Sequence, residues 1–121
     1  MLQLVRRTLR CMVALSDEPQ VVATGVELAE ADIRAYIEAL ARDGVYNCSD
    51  VLTDPHLIGM LESYLRPQRV RGLLDACFQV NGRLMGVLCL EQRDLPRHWT
   101  RADELDLRKA ASSISLAMSR Q

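Results

Sequence analysis

The chain lacks the sequence features of several large protein classes. No apolar run approaches the ~20 residues that a helix needs to cross a bilayer, so direct membrane insertion is not expected. The amino terminus, MLQLVRRTLR, is interrupted by arginines and does not resemble a secretory signal. The formal net charge is -1, whereas proteins that bind nucleic acid usually present a basic surface. These absences favour a cytoplasmic protein with no nucleic-acid partner.

The four cysteines are too widely spaced for a zinc or redox motif. No two of them lie at the separation of roughly two to four residues that zinc knuckles and redox pairs use. Free thiols in a reducing compartment are therefore expected. The sequence also has no Ser-His-Asp set, glycine-rich phosphate loop or metal-spaced cluster. It therefore predicts no catalytic residues, no metal and no cofactor. The cysteines are Cys11, Cys48, Cys77 and Cys89.

The composition is that of an ordinary globular domain. With 121 residues, 49% of them apolar and 26% charged, the chain is long enough to form one core without staples. Apolar runs and turn residues predict the order strand, strand, helix, strand, helix, strand, strand, helix. The predicted fold class is α+β, with a central, mainly antiparallel sheet of five to six strands and helices on both faces.

The first half of the chain is predicted to contain a hairpin and a helix. Strands at residues 7–16 and 20–29 are separated by a turn cluster and are expected to pair. The helix that follows is expected to be capped by Asp32 and ended by Gly44. Its buried stripe is predicted to comprise Ile33, Ile37, Leu40 and Ala41.

A short strand at 45–51 and a second helix come next. Asp54 is placed to cap this helix, Pro55 to be its first residue and Pro67 to mark its end. The buried stripe of the second helix is predicted to comprise Leu57, Leu61, Tyr64 and Leu65.

Two apolar runs flank Asn81-Gly82, which is the strongest short signal for a β-hairpin. If these residues form a two-residue turn, Val80 faces Arg83 and the side chains alternate from there. Both faces would be largely apolar, as expected of a sheet covered on two sides. One face would carry Leu74, Ala76, Phe78, Met85, Val87, Cys89 and Glu91. The other would carry Leu73, Asp75, Cys77, Gln79, Leu84, Gly86, Leu88 and Leu90.

The last helix is predicted to begin with a capping box formed by Thr100 and Asp103. Small residues flank its apolar stripe and would permit close approach of another helix. We expect this helix, at 101–120, to carry dimerisation and to continue into an output domain. The stripe comprises Leu107, Ala111, Ile114 and Met118.

Four stretches together resemble the GAF domains of bacterial sensor kinases and diguanylate cyclases, over roughly residues 5–119. They read ADIRAYIEAL, SDVLTDP, YLRPQRVRGLLDACFQVNGRLMGVLCLE and RHWTRADELDL. The resemblance implies a single non-catalytic sensory domain spanning residues 1–121. Such a module binds a small molecule, or dimerises through its terminal helices, to control an output domain in the same polypeptide.

The chain departs from the family pattern at three points. Cys77 stands where proline is common, and Gly72 stands where serine is usual. A GAF domain normally opens with a helix, whereas the first predicted strand here begins almost at Met1. The domain is therefore expected to be N-terminally truncated, without its first helix.

Other branches of the family offer alternatives. Free methionine sulfoxide reductases carry a key cysteine in the region that reads LTDPHLIGML here, and this region has none. Bilin-binding GAF domains place a cysteine next to a histidine, but neither His56 nor His98 adjoins one. Haem bound through His56 stays a minor alternative, and the Asn-Lys…Phe…Asp-Glu signature of cyclic GMP binding is absent. An enzyme of the reductase type and a ligand-free dimerisation spacer remain the competing hypotheses.

Asp75 is the best candidate for a ligand contact, because a carboxylate buried among apolar residues needs a polar partner. The alternative is that Asp75 bonds a nearby backbone amide or arginine. Asp50, Tyr64 and Arg71 are expected to flank the same cavity. Cys77 and Cys89 complete the candidate ligand pocket.

Overall fold

The computed structural model describes residues 2–5, 8–11 and 27–120. Six strands form one sheet, and every pairing within it is antiparallel. The strands are β1 (Leu2–Val5), β2 (Thr8–Cys11), β3 (Glu27–Ala29), β4 (Val45–Cys48), β5 (Val70–Val80) and β6 (Arg83–Arg93). Their spatial order is β3-β2-β1-β6-β5-β4.

Helices cover both faces of this sheet. The first is α1 (Glu30–Asp43), the second is the short α2 (Ile58–Met60), and the third is α3 (Arg101–Ser119). One core lies between the sheet and α1, and a second core lies between the sheet and α3. The predicted fold class is confirmed. None of the helices in the described part of the chain is long and apolar enough to cross a membrane.

The amino-terminal hairpin is confirmed as far as it is described. Strands β2 and β3 pair antiparallel, with Thr8 opposite Ala29 and Arg10 opposite Glu27. The sequence did not predict β1, which lies between β2 and β6. The predicted residues between 12 and 26 lie outside the described ranges.

Helix α1 ends where predicted but begins earlier. Gly44 adopts a φ of 78°, and its amide donates to the Leu40 carbonyl at 2.7 Å, because glycine takes the left-handed conformation without steric cost. Ala29 is the N-cap residue and provides no side-chain bond, so the prediction that Asp32 caps the helix is wrong. The buried stripe contains Tyr36 in place of the predicted Ala41.

The second predicted helix is a chain of short helical turns. Asp54 accepts a bond from the His56 amide at 3.0 Å, as predicted for a cap. The 3₁₀ turn Pro55–Leu57 leads into α2, and the π-helical turn Leu61–Leu65 follows it. In that turn the Arg66 amide donates to the Leu61 carbonyl at 2.9 Å, and this five-residue span widens the helix.

Strands β5 and β6 form the predicted hairpin around Asn81-Gly82, whose φ values are 54° and 77°. The register shifts near the turn, since Phe78 pairs with Gly86 while Gln79 pairs with Leu84. Met85 is therefore an extra residue in β6, which makes a β-bulge.

The bulge inverts the predicted faces of β6. Beyond it, Cys77 pairs with Val87 and Asp75 pairs with Cys89. Since side chains alternate along a strand, a one-residue shift moves the rest of the strand to the other face. The prediction that Val87, Cys89 and Glu91 share a face with Leu74, Ala76 and Phe78 is therefore wrong. These three residues lie on the face of Leu73, Asp75 and Cys77, which α1 covers.

The segment that leads into α3 is fixed against β4. The Arg97 amide donates to the Ser49 carbonyl at 3.0 Å, and the Trp99 indole donates to the Cys48 carbonyl at 3.2 Å. A Cβ atom at Gly72 would lie 3.2 Å from both the Arg97 nitrogen and the Ser49 oxygen. The close approach of the Arg97 and Ser49 backbones to Gly72 leaves little room for the serine that the family usually has at this position.

The capping box of α3 is confirmed. The Asp103 amide donates to the Thr100 hydroxyl at 3.1 Å, and the Thr100 amide donates to the Asp103 carboxylate at 2.8 Å. Both bonds satisfy amides that the first turn of a helix leaves without partners. The cap therefore fixes where the terminal helix begins.

We expect Gly59→Ala to destabilise the fold by about 1–3 kcal/mol or more. A Cβ atom at this position would lie 1.7 Å from the Asp32 carbonyl oxygen, so α2 would have to move away from α1. Urea unfolding measures the loss. Ile58→Ala is the matched control, because Ile58 is 75% exposed, and equal stabilities of the two variants would contradict this packing.

Candidate functional site

A group of polar side chains lies between the sheet and α1, within an otherwise apolar core. Two members, Asp75 on β5 and Cys89 on β6, face each other across the strands. Glu91 lies two pairs further along β6, opposite Leu73 and on the same face of the sheet. We call this group the buried polar cluster, and it comprises the buried Tyr36, Tyr64 and Asp75 together with the half-buried Cys89 and Glu91.

Two tyrosines donate hydrogen bonds to the two carboxyl groups. The Tyr36 hydroxyl, on α1, donates to Asp75 Oδ2. The Tyr64 hydroxyl, in the turn after α2, donates to Glu91 Oε2 at 2.8 Å. Asp75 is 2% exposed, and no donor among the described residues lies within hydrogen-bond distance of its Oδ1. The thiol of Cys89, a weak donor, lies beside the same carboxyl group. Because a buried polar atom without a partner costs free energy, Oδ1 is the atom most in need of a ligand donor.

Burial controls protonation within the cluster. It raises the pKa of Asp75 to about 7, while the hydrogen bond from Tyr36 opposes this rise and the charge of Glu91 adds to it. Burial also raises the pKa of Glu91, against the lowering effects of the Tyr64 hydroxyl and of Arg93. The pKa values of Tyr36 and Tyr64 are raised by burial as well, so both hydroxyls remain donors. Asp75 can therefore either accept or donate a proton near neutral pH.

The described thiols are poorly suited to nucleophilic chemistry. Burial raises the pKa of Cys48 to about 12, and it also raises the pKa values of Cys77 and Cys89. A thiolate is the reactive form, so a raised pKa disfavours catalysis. In the described ranges, no cluster of side chains is arranged to hold a metal ion.

Asp50 and Arg71 form a separate pair. Arg71 donates to both oxygens of Asp50, at 3.3 and 3.0 Å, and Asp50 also accepts from the Leu52 amide at 3.1 Å. These contacts satisfy the carboxylate and fix the turn Val51–Thr53. The structure thus divides the predicted pocket into two groups of residues.

The other predicted pocket residues lie together on the α1 face. Tyr64, Asp75 and Cys89 belong to the buried polar cluster, and Cys77 packs against the same core. The sequence reasoning missed Tyr36, although its spacing from Ile33 and Leu40 places it on their helix face. Glu91 was not among the predicted site residues.

The stripe of α3 packs on the opposite face of the sheet. Leu107 and Ala111 are buried there against Leu74, Ala76 and Phe78. Leu107 and Ala111 therefore pack against the sheet within the chain. Ile114 and Met118 are half-buried against the same core, and a dimer role for the helix stays a prediction.

The sequence matches the GAF domain family over residues 1–118. Since this match spans nearly the whole chain, the protein belongs to the GAF domain family. The fold and the family assignment predicted from the sequence are both confirmed, and GAF domains generally serve as sensory modules. A comparison with curated proteins finds no match.

Solved structures with the same fold include several photoreceptor domains. The blue-light absorbing form of the PixJ GAF domain of Thermosynechococcus elongatus has a TM-score of 0.82 and 21% identity, with 98% of this chain and 71% of that chain covered. A far-red cyanobacteriochrome photoreceptor has a TM-score of 0.82 and 15% identity, covering 98% and 74%. A phycocyanobilin-bound GAF domain from a cyanobacterial phytochrome has a TM-score of 0.76 and 17% identity, covering 98% and 72%. At these identities the likeness concerns the fold.

We expect stability to fall as the pH rises from about 5 to about 8. The folded pKa of Asp75, about 7, lies above its ordinary value of 3.8, so the folded state retains a proton that the unfolded chain releases. The stabilisation is complete below the ordinary pKa and is lost as the pH rises through about 7. Glu91 acts in the same direction, because its pKa is also raised.

Asp75→Asn should reduce this fall, because the amide keeps an acceptor for Tyr36 and cannot ionise. Urea midpoints at the two pH values measure the effect. Glu38→Gln, which changes an exposed side chain on α1, serves as the control and should behave as the parent does. A fall of the same size in Asp75→Asn would show that Asp75 does not carry the dependence.

Proposed function

We propose that this GAF domain is the sensory module of a larger signalling protein and binds a small molecule at the buried polar cluster. The bound ligand biases the position of α3, and α3 passes this change to an attached output domain, such as a histidine kinase or a diguanylate cyclase. The proposal rests on one observation. Asp75 Oδ1 is a buried carboxylate oxygen, and in the described part of the chain it has no hydrogen-bond partner. The domain itself is non-catalytic.

The cluster defines the chemistry of the ligand. The hydroxyls of Tyr36 and Tyr64 are already used as donors to the two carboxyl groups, so the free capacity lies in the acceptor Oδ1. A ligand with an N–H donor and an otherwise apolar surface would satisfy this atom and match the surrounding core. A bilin offers pyrrole N–H donors on a largely apolar ring system, although its two propionate groups would have to reach solvent, and the phycocyanobilin bound by one structural neighbour supplies the first probe. Neither histidine adjoins a cysteine, so we expect non-covalent binding.

A direct contact connects the two helical layers. Arg108 of α3 donates from Nη2 to the carbonyl of Asp43 at 3.1 Å. Asp43 is the last residue of α1, directly before Gly44. A guanidinium at the carboxyl end of a helix also interacts favourably with the helix dipole. Tyr36 couples α1 to Asp75, and Arg108 couples α1 to α3. This path gives a ligand a physical route to the terminal helix.

A ligand can shift α3 only if it binds two arrangements of the domain with unequal affinity. Asp75 provides such a difference, because movement of α1 would change its bond with Tyr36. The competing function is a ligand-free dimerisation spacer. The complete burial of Tyr36, Leu40 and Leu57, each 0% exposed, favours that alternative, since it leaves the core closely filled.

Native mass spectrometry of the purified protein, followed by the denatured measurement, separates the two functions. We expect an added mass that disappears on denaturation, either as purified or after incubation with phycocyanobilin. Asp75→Asn should weaken binding by about tenfold or more, because it changes the acceptor that the ligand satisfies. Glu38→Gln is the matched control. A bare dimer with no added mass supports the spacer, and undiminished binding to Asp75→Asn places the ligand elsewhere.

The path through Arg108 predicts energetic coupling between the cluster and α3. In a double-mutant cycle, Asp75→Asn and Arg108→Gln should show an interaction energy of roughly 0.5 kcal/mol or more in urea unfolding. Lys109→Gln, which changes the exposed neighbour of Arg108, should be additive with Asp75→Asn. Additivity in both cycles would mean that the Asp43–Arg108 contact does not couple the cluster energetically to α3.

A further inference from the structure

The π-helical turn Leu61–Leu65 has a wider backbone than its buried side chains require. The Arg66 amide donates to the Leu61 carbonyl at 2.9 Å, across five residues, whereas a regular α-helix closes each bond across four. Turns of this kind are rare and are found frequently at functional sites. Yet the buried positions of the segment, i, i+3, i+7 and i+8, lie on one face of a regular α-helix. They are Leu57, Met60, Tyr64 and Leu65.

A side-chain hydrogen bond connects this wide turn to the sheet. The Tyr64 hydroxyl donates to Glu91 Oε2 at 2.8 Å. Tyr64 is 6% exposed, and Glu91 is half-buried. A change from the wide turn to a regular α-helix alters the number of residues per turn, so it would rotate Tyr64 about the helix axis. The bond to Glu91 therefore favours the wide geometry over the regular one.

The two ends of the segment are constrained in different ways. A Cβ atom at Gly59 would lie 1.7 Å from the Asp32 carbonyl oxygen, so the start of α2 is held closely against α1. At the other end, Arg69 has a φ of 59°, a left-handed conformation that residues other than glycine rarely adopt. Such a residue persists only where the surrounding structure imposes it.

The wide turn accounts for the direction in which this strain can be relieved. A π-helical turn contains one residue more than the α-helical turn that it replaces. If the segment became a regular α-helix, that residue would pass to the turn at 66–69, which leads into β5. The longer turn would no longer require a left-handed conformation at Arg69. Two geometries of the segment are therefore compatible with the same buried face.

We propose that Leu61–Leu65 is a two-state switch at the buried polar cluster, held in the π form by the bond between Tyr64 and Glu91. When a ligand donor replaces the Tyr64 hydroxyl at Glu91, the turn becomes a regular α-helix and Tyr64 leaves the cluster. The part of the ligand rests on the proposed function, whereas the switch itself is a property of the ligand-free chain. Because Asp75 and Glu91 are diagonal neighbours on adjacent strands, about 7–8 Å apart, a ligand with two N–H donors at this separation would contact both.

NMR couplings across hydrogen bonds, measured on the ligand-free full chain, identify the amide that bonds the Leu61 carbonyl. In the parent we expect a correlation between the Leu61 carbonyl carbon and the Arg66 amide nitrogen. Tyr64→Phe removes the hydroxyl and keeps the ring. The Arg66 correlation should therefore be lost and replaced by one to the Leu65 amide, which is the partner in a regular α-helix.

Glu91→Gln is the matched control, because its amide oxygen remains an acceptor for Tyr64, and it should retain the Arg66 correlation. Glu91→Ala removes the acceptor and should behave as Tyr64→Phe does. An Arg66 correlation that persists in Tyr64→Phe, or one that disappears in Glu91→Gln, would overturn the switch. A Tyr64→Phe chain with neither correlation would overturn it as well, since the turn would then have no regular form.

Phycocyanobilin, used as the probe, separates the switch from the proposed function. Where native mass spectrometry detects bound bilin, the Leu61 correlation should move from Arg66 to Leu65. Bound bilin with an unchanged Arg66 correlation would contradict the part of the ligand and leave the proposed function standing. Absence of any bound mass, together with the expected change in Tyr64→Phe, would contradict the proposed function and the part of the ligand, and would confirm the switch itself.

Discussion

The bulge at Met85 is the constraint on which the interior of the sheet depends. It adds one residue to β6 and so turns Val87, Cys89 and Glu91 toward α1. Without it, Asp75 would face Leu88 across the strands and the second carboxyl group would lie under α3. The bulge therefore gathers the polar side chains into one core and leaves the other core almost entirely apolar.

Local signals allowed much of the fold to be predicted. Gly44, the Asn81-Gly82 turn and the box formed by Thr100 and Asp103 each determine the backbone through bonds between near neighbours. The bulge could not be predicted in this way, because the register of a long hairpin depends on how both covered faces pack. The start of α1 was misplaced for a related reason. Ala29 still pairs with Thr8 in the sheet and is also the N-cap residue of α1, so the helix begins at Glu30, before Asp32.

The candidate site was predicted in part. A carboxylate within an apolar strand identified Asp75, since its burial follows from its neighbours in sequence. Tyr36 was missed because a tyrosine on a helix stripe ordinarily contributes only apolar area, whereas here its hydroxyl bonds a residue 39 positions away. Asp50 and Arg71 were assigned to the same pocket because both flank it in sequence. Their mutual ion pair, which bridges 21 positions, is a property of the folded chain alone.

The hydrogen bonds from Arg97 and Trp99 to the end of β4 fix the amino-terminal end of α3, which we call its base. Its 19 residues span about 28 Å at 1.5 Å per residue. The base is capped and buried at Leu107 and Ala111, whereas Ile114 and Met118 toward the far end are only half-buried. A tilt of about 10° about the base would move the far end by about 5 Å, close to the rise of one helical turn. The same tilt would move Leu107, about 9 Å from the base, by only about 1.6 Å, so a displacement against the sheet would become about three times larger at the far end of the helix.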